Sequence, residues 1–237
     1  MTDRWVTQRH GFGMSHTVND FDGDGALDIY MVGMSSTTAR RLDQLGLGRE
    51  GFEKLDAMRA PMTYGNRLYI GGKTGFHQPD FSSDVARTGW SWGCSSADFD
   101  NDGNQDVVTA DYRGDQVSIL LVDGNGSFAA PTVVQSSGEP AHVAVADFDS
   151  DGNQDLATAN WQSRDVKIFL GDGSGSFSAG ISAGELVGGS SVSVGEFNGD
   201  GNPDLAVPGG GVVSIQRGDG SGSFSAATEF STGGTNG

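Results

Sequence analysis

The sequence predicts an all-β chain, a β-propeller of about four four-stranded blades, and three observations carry that prediction. A nine-residue acidic loop is written four times, and its second, third and fourth copies open at Asp98, Asp147 and Glu196, 49 residues apart. A second marker, Asp-Gly-x-Gly-Ser-Phe, keeps nearly the same beat at 123–128, 172–177 and 219–224. Short β-prone runs lie between these markers, divided by Gly, Asp, Asn and Ser as hairpins require. A four-stranded antiparallel unit repeated at fixed period reads as a propeller blade, whereas a β-sandwich has no reason to repeat.

The first repeat, approximately 14–80, carries the loop Asp20–Asp28, and Phe76 plays the part of the marker phenylalanine. It follows Asp20 by 56 residues instead of about 30, so about 26 residues are inserted there. Thr37–Leu45 and Glu50–Met58 have helix-forming composition, which predicts a short helical insertion at approximately 35–62. The second repeat spans approximately 90–136, the third 140–184 and the fourth 189–230. In the third the runs are clearest: 142–148, 156–161, 166–170 and a weaker one at 178–183. Residues 1–13 and 225–237 could each add an outer strand to a closing blade. We expect one propeller domain over 1–237; the sequence leaves open whether four blades close alone, join a larger ring or assemble between chains.

Each acidic loop places oxygen-bearing side chains at positions 1, 3, 5 and 9, with glycine at 6 for the tight turn. These are Asp20, Asp22, Asp24 and Asp28; Asp98, Asp100, Asp102 and Asp106; Asp147, Asp149, Asp151 and Asp155; and Glu196, Asn198, Asp200 and Asp204. The backbone carbonyl at position 7 adds another oxygen, from Ala26, Asn104, Asn153 and Asn202. A hard cation such as Ca²⁺ needs such a set, so up to four Ca²⁺ ions are expected between strands 1 and 2 of the blades. An EF-hand would place Glu at position 12; Met31, Thr109, Thr158 and Val207 stand there instead, in β-prone runs. The fourth loop, with one negative charge fewer, should bind most weakly.

The formal charge of −17 argues against a nucleic-acid partner, which would need basic patches. Fifteen of the 31 acidic residues sit at loop ligand positions, so four bound Ca²⁺ would bring the net charge to about −9. No long apolar run points to membrane insertion. The lone Cys94 excludes an intrachain disulfide and a thiolate metal cage, and reads as a small core residue. Loop sites of this open type fill where calcium is near millimolar, which points to an extracellular, cell-surface or periplasmic setting. Met1–His10 is polar and carries no secretory signal.

The stretches Ala97-Asp-Phe-Asp-Asn-Asp-Gly-Asn-Gln-Asp106-Val and Ala146-Asp-Phe-Asp-Ser-Asp-Gly-Asn-Gln-Asp155-Leu resemble the FG-GAP, or VCBS, repeats of integrin alpha-chain-like β-propellers and their bacterial relatives. The resemblance covers nearly the whole chain. Residues 14–110, with Asn66-Arg-Leu-Tyr69 and Gly89-Trp-Ser-Trp-Gly93, are more similar to the cartilage-acidic-protein-like branch; residues 111–230 look like plain bacterial VCBS repeats. It implies Ca²⁺ on the loop carboxylates and a role in cell adhesion or in carbohydrate or protein recognition, often within a large surface protein. Family members usually have about seven blades, and four repeats fall short of that.

Antiparallel order puts the acidic loops and the Asp-Gly-x-Gly-Ser-Phe turns on one face. The joints between strands 2 and 3, and between blades, lie on the other. That second face gathers Trp90, Trp92, Tyr112, His142 and Trp161, and aromatic rings beside polar groups suit a glycan or a protein ligand. Packing between blades would use the same rings. The insertion falls on this face too, and Arg40, Arg41, Arg49, Lys54 and Arg59 make it the most basic stretch of the chain. Arg113-Gly114-Asp115 reads as a chance occurrence of a known adhesion tripeptide, since Gly and Asp are common in turns. No nucleophile elbow or phosphate loop is present, and no catalytic residue is assigned. The leading expectation is a non-enzymatic, calcium-stabilised extracellular binding or adhesion module recognising a glycan or protein on the face opposite the Ca²⁺ loops. The alternatives are a structural assembly subunit joining copies of itself through exposed strands, and a Ca²⁺-dependent polysaccharide lyase.

Overall fold

The computed structural model describes residues 12–34, 66–73, 75–78, 91–185 and 189–233. Four antiparallel sheets follow one another along the chain, each with its strands in chain order. The first holds β1 (Phe12–Asn19), β2 (Asp28–Met34) and β3 (Arg67–Tyr69). The second holds β4 (Ser91–Ala97), β5 (Asp106–Asp111), β6 (Gln116–Leu120) and β7 (Thr132–Gln135). The third holds β8 (Pro140–Ala146), β9 (Asp155–Asn160), β10 (Asp165–Phe169) and β11 (Ile181–Glu185). The fourth holds β12 (Ser193–Gly195), β13 (Asp204–Gly209), β14 (Val212–Gln216) and β15 (Thr228–Ser231). These are propeller-like blades, and the chain is all-β as the repeat predicted. The weak fourth run of the third repeat forms a strand, displaced to Ile181–Glu185. Residues 228–231 pair with β14 as the fourth blade's own outer strand. The expected helical insertion at 35–62 lies outside the described residues.

Period-2 alternation sends successive residues of a strand to opposite sheet faces. In the second and third blades both faces are covered, so one strand serves two neighbours. From β5, Val107 packs back on Tyr30, Val32 and Leu68 of the first blade, while Val108 and Ala110 pack forward on Val143 and Leu156 of the third. From β9, Leu156 points back and Ala157 and Ala159 point forward to Leu205 and Val207. The core is therefore three apolar seams, and this explains why every residue of β5 and β9 is buried, including the polar ones.

An aromatic pair closes each seam. The phenylalanine at loop position 2 meets the turn phenylalanine of the following blade: Phe21 with Phe128, Phe99 with Phe177, Phe148 with Phe224. The last two pairs lie edge to face at 5.7 and 5.6 Å, an arrangement aromatic quadrupoles favour. Backbone bonds reinforce them, Gly175 N to Phe99 O and Gly222 N to Phe148 O, both 2.9 Å.

The first strands of adjacent blades approach closely. A Cβ on Gly93 would lie 2.9 Å from His142 Cα and 3.0 Å from Ala141 O. Gly93→Ala should cost about 1–3 kcal/mol by forcing these backbones apart, read as a lower urea midpoint with unchanged slope.

Cys94 is buried against the first blade and burial pushes its thiol up to about 11, so it behaves as an inert core residue.

Candidate functional site

The acidic loops are built from short-range bonds that curl the backbone around its own carboxylates. In the first and third loops the position-1 carboxylate accepts the amides of positions 5 and 6: Asp20 from Asp24 (3.2 Å) and Gly25 (2.9 Å), Asp147 from Asp151 (3.2 Å) and Gly152 (3.0 Å). Glycine at position 6 adopts φ of +84°, +90°, +91° and +88° in the four loops, a conformation that side chains disfavour. The result brings three carboxylates together in three of the loops. Oxygens of Asp20, Asp22 and Asp28, of Asp98, Asp100 and Asp106, and of Asp147, Asp149 and Asp155 lie within 4.8 Å of one another. Such a group could hold a metal ion.

Two observations fit the donor set to a hard cation. Burial raises the pKa of Asp100 and Asp149, and the neighbouring carboxylates raise it further, a repulsion that a cation would relieve. In the second loop, Asp98 Oδ1 is buried with no hydrogen-bond partner while Oδ2 accepts the Gly103 amide. A buried carboxylate oxygen without a donor is costly unless something else meets it.

The position-5 residues stand aside from these groups. Asp102 and Asp151 each accept both the backbone and the side-chain amide of Asn104 and Asn153, at 2.7–2.8 Å. Asp24 accepts the amide of Ala26. In the fourth loop the Asn198 amide donates to Asp200 at 2.8 Å, so charge that would face a cation is met internally; Asn202 donates to Asp200 as well. Glu196 turns back to the amides of Asn198 and Gly199.

Position 9 has a second task that ligand spacing alone did not reveal. Asp28, Asp106, Asp155 and Asp204 are fully buried. Each accepts the amide of its own loop phenylalanine on one oxygen and, on the other, an amide where the third strand turns: Gly71, Val122, Gly171 and Gly218, all at 2.7–2.9 Å. The carboxylate thus ties loop to turn in every blade. Burial pushes Asp106 and Asp155 up to about 6 and also raises Asp28. The signal was present in the sequence, since Asp stays at position 9 even in the loop that loses two of its other Asp residues.

Between the second loop and its turn lies an open depression of ≈ 410 Å³, lined by Asp100, Asp102, Leu121, Asp123, Ser127 and Phe128. It belongs to the acidic face.

The opposite face separates the aromatic candidates. Trp90 lies outside the described residues. Trp92 stacks on Tyr112 with ring centroids 4.2 Å apart and planes within 8°, so this pair is packed on itself. Trp92 sits at a bulge in β4, where the register slips between Ser91 and Gly93, and β8 slips at the matching place, Ala141. Trp161 occupies the place of Tyr112 one repeat later, but Ala141 stands where Trp92 would be. Its ring is 53 % exposed. Comparing positions 92 and 141 in the sequence would have foretold this difference. His142 is half-buried, its Nδ1 lacks a hydrogen-bond partner, and burial pushes its pKa down, keeping it neutral near pH 7.

The joint between the second and third blades holds these rings in place. Ser137, Gly138 and Glu139 all have φ between +58° and +119°. Asp115 Oδ1 accepts the amides of Gly138 (3.2 Å) and Glu139 (2.8 Å), which commits the third residue of Arg113-Gly114-Asp115 to structure. The amides of Trp161 and Gln162 donate to Glu139 O and Gly138 O. The Glu139 carboxylate lies near the Tyr112 hydroxyl and raises its pKa. Tyr112, Glu139 and Trp161 therefore form one cluster.

Among the described residues no helix is long and apolar enough to cross a membrane. No curated protein sequence matches the chain. Residues 98–158 and 150–207 match the FG-GAP-like repeat family. Among solved structures, an Agrocybe aegerita lectin described as recognising non-reducing terminal N-acetylglucosamine is 19 % identical, with a TM-score of 0.55 over 91 % of this chain and 51 % of that one. BBS1N, solved in complex with ARL6DN, is 13 % identical, with a TM-score of 0.53 over 97 % of this chain and 59 % of that one. The chain thus spans between half and three fifths of the length of these structures. At such identities the likeness is one of fold, and their described partners, a sugar and a protein, show that fold alone does not set the ligand. The match thus puts FG-GAP-like repeats in two places, running from the second acidic loop into β13, within a propeller-like fold of four-stranded antiparallel sheets.

Proposed function

We propose that the chain is a non-enzymatic binding module, stiffened by Ca²⁺ in its first three loops, that takes a glycan on the face opposite those loops. The observation that carries this reading is Trp161, 53 % exposed where its counterpart Tyr112 is covered by Trp92. A flat apolar ring held at the surface by backbone bonds is a platform for the C–H face of a sugar. Beside it stand the Glu139 carboxylate and the Tyr112 hydroxyl, polar groups of the kind that fix a sugar's orientation. The left-handed backbone at Ser137 and Glu139 is local strain of the sort found at binding sites. A lectin with this fold makes glycan recognition compatible with the architecture. Dependence on weak loop sites for calcium fits a setting outside the cytoplasm, where calcium is near millimolar.

The test is a glycan array in millimolar Ca²⁺, followed by titration of the best sugar against wild type and Trp161→Ala. Loss of the platform should weaken binding about tenfold, equivalent to ~1.4 kcal/mol, without lowering the melting temperature. Equal affinity of the two proteins, or no sugar bound at all, would remove the proposal.

A further inference from the structure

Position 4 of each acidic loop has a left-handed backbone, with φ of +71° at Gly23, +58° at Asn101, +62° at Ser150 and +83° at Gly199. In the first three loops this position faces the first glycine of the following blade's turn. A Cβ on Gly23 would meet Gly124 O at 3.3 Å, Asn101 Nδ2 lies 3.4 Å from Gly173 O, and Ser150 Oγ is 3.4 Å from where a Cβ on Gly220 would stand. Each of those glycines lies in turn over position 7 of its own blade's loop. A Cβ on Gly124, Gly173 or Gly220 would come within 2.5, 2.3 or 2.6 Å of the side-chain oxygen of Asn104, Asn153 or Asn202. Adjacent acidic loops therefore meet at one repeated place.

At that place one side chain crosses from loop to loop. Asn101 Nδ2 donates to Asn153 Oδ1 at 3.0 Å. Asn153 passes the contact on, donating from its backbone and from Nδ2 to the two oxygens of Asp151, both at 2.7 Å. Gly23 has no side chain to offer Asn104, and among the described residues no hydrogen bond joins the shorter Ser150 to Asn202. Asn19 does reach Gln105 at 2.8 Å, but from the end of β1 and not from between two ligand positions. The backbone ties at the seams are common to both: Gly175 N to Phe99 O and Gly171 N to Asp155 at one, Gly222 N to Phe148 O and Gly218 N to Asp204 at the next. What sets the second and third loops apart is the Asn101 amide.

We propose that Asn101 couples these two loops, so that Ca²⁺ in the second raises the affinity of the third and, by linkage, the reverse. The coupling rests on the reading that both loops take Ca²⁺. Asn101 stands between Asp100 and Asp102, so an ion held by Asp98, Asp100 and Asp106 fixes the backbone that carries it. Its amide then pins Asn153, whose carbonyl is the expected position-7 oxygen of the third loop. A residue already held in place loses less freedom when its own ion arrives, and affinity rises accordingly. Asn101 is a positioning residue in this scheme and touches neither ion. One exposed hydrogen bond sets the scale of the coupling at about threefold in affinity.

The test is a Ca²⁺ titration of the full chain followed by NMR at the amides of Gly103, Gly152 and Gly201, the position-6 glycines of the second, third and fourth loops. The first two donate to the position-1 carboxylates Asp98 and Asp147, so each reports the filling of its own loop. Wild type is compared with Asp100→Ala, Asn101→Gly and the double variant. Glycine keeps the left-handed backbone and already occupies this position in the first and fourth loops, so Asn101→Gly removes the amide without straining the turn. Asp100→Ala should weaken the Gly103 response and raise the Ca²⁺ concentration that half-fills the third loop about threefold. Asn101→Gly should raise it at least as much, the double variant no further than Asn101→Gly, and the fourth loop should fill as in wild type. A third-loop midpoint unchanged or lowered by Asp100→Ala would overturn the coupling while leaving Ca²⁺ binding intact. Effects that add in the double variant, or that appear equally at Gly201, would also overturn it, since Asn101 would not be their carrier. No response of any loop glycine at millimolar Ca²⁺ would instead remove the calcium reading itself, and the coupling with it.

Discussion

Asp155→Ala should lower the unfolding free energy by about 2–4 kcal/mol, and should do so in EDTA, where no metal is bound. The Asp155 carboxylate accepts the Phe148 amide at 2.7 Å and the Gly171 amide at 2.8 Å, in a place fully shielded from solvent. Removing it strands two buried donors, each costing about 1–3 kcal/mol. Part of that loss is offset because burying the carboxylate is itself unfavourable, as its pKa of about 6 records. Asp155→Asn should fall in between, since its amide can accept one bond but must turn a donor toward the other N–H. Urea unfolding at pH 7 in EDTA measures this. A wild-type midpoint for Asp155→Ala would show that the carboxylate does not hold loop and turn together, and that metal ligation is its main role.

The double duty of position 9 marks where residue spacing stopped being informative, and only the constancy of Asp there hinted at it. The turn of each loop was legible, because the bonds that shape it span at most seven residues; that position 5 is taken up by the amides of position 7 was not. The blades were legible because one blade occupies one period, so strand boundaries needed only small shifts. The tie from Asp155 to Gly171 crosses a whole hairpin, and nothing in the spacing of Asp147, Asp149 and Asp151 foretells it. The aromatic face depended on an even more distant fact. Tyr112 and Trp161 are equivalent along the chain, and what distinguishes them is a bulged residue on the neighbouring strand, Trp92 in one blade and Ala141 in the next. Likewise Phe197 has the same local sequence position as Phe148, and only the following blade decides whether it is buried. Residue spacing encodes the repeat; exposure is set by what the repeat is next to.

Millimolar Ca²⁺ should raise the melting temperature steeply relative to EDTA, and Asp149→Ala should lose part of that rise while melting at or slightly above wild type in EDTA. A ligand that binds only the folded loop stabilises by about 2.7 kcal/mol per site at a hundredfold excess over its Kd, and ~2–4 °C per kcal/mol is expected for a chain of this size. Three loops with converging carboxylates therefore promise a large shift, whereas the fourth, with Asn198 bonded to Asp200, should add little. In EDTA the Asp149 carboxylate is a liability: burial and its neighbours raise its pKa, and its bond to the Asp151 amide is long at 3.3 Å. The pH dependence provides an independent check. Asp106 and Asp155 titrate near 6 in the metal-free fold, above the ordinary 3.8. Their contribution to stability is therefore complete below the unfolded value and lost as pH rises through about 6, so the metal-free chain should melt higher at pH 5 than at pH 7. Asp172, Asp200 and Asp219 have lowered pKa values and oppose this only once pH falls below the ordinary carboxylate range. Bound Ca²⁺ favours ionised carboxylates and should reverse the slope, making pH 7 the more stable condition. If melting at pH 5 and pH 7 keeps the same order with and without Ca²⁺, and Asp149→Ala melts like wild type in both, the acidic loops are turns and not metal sites.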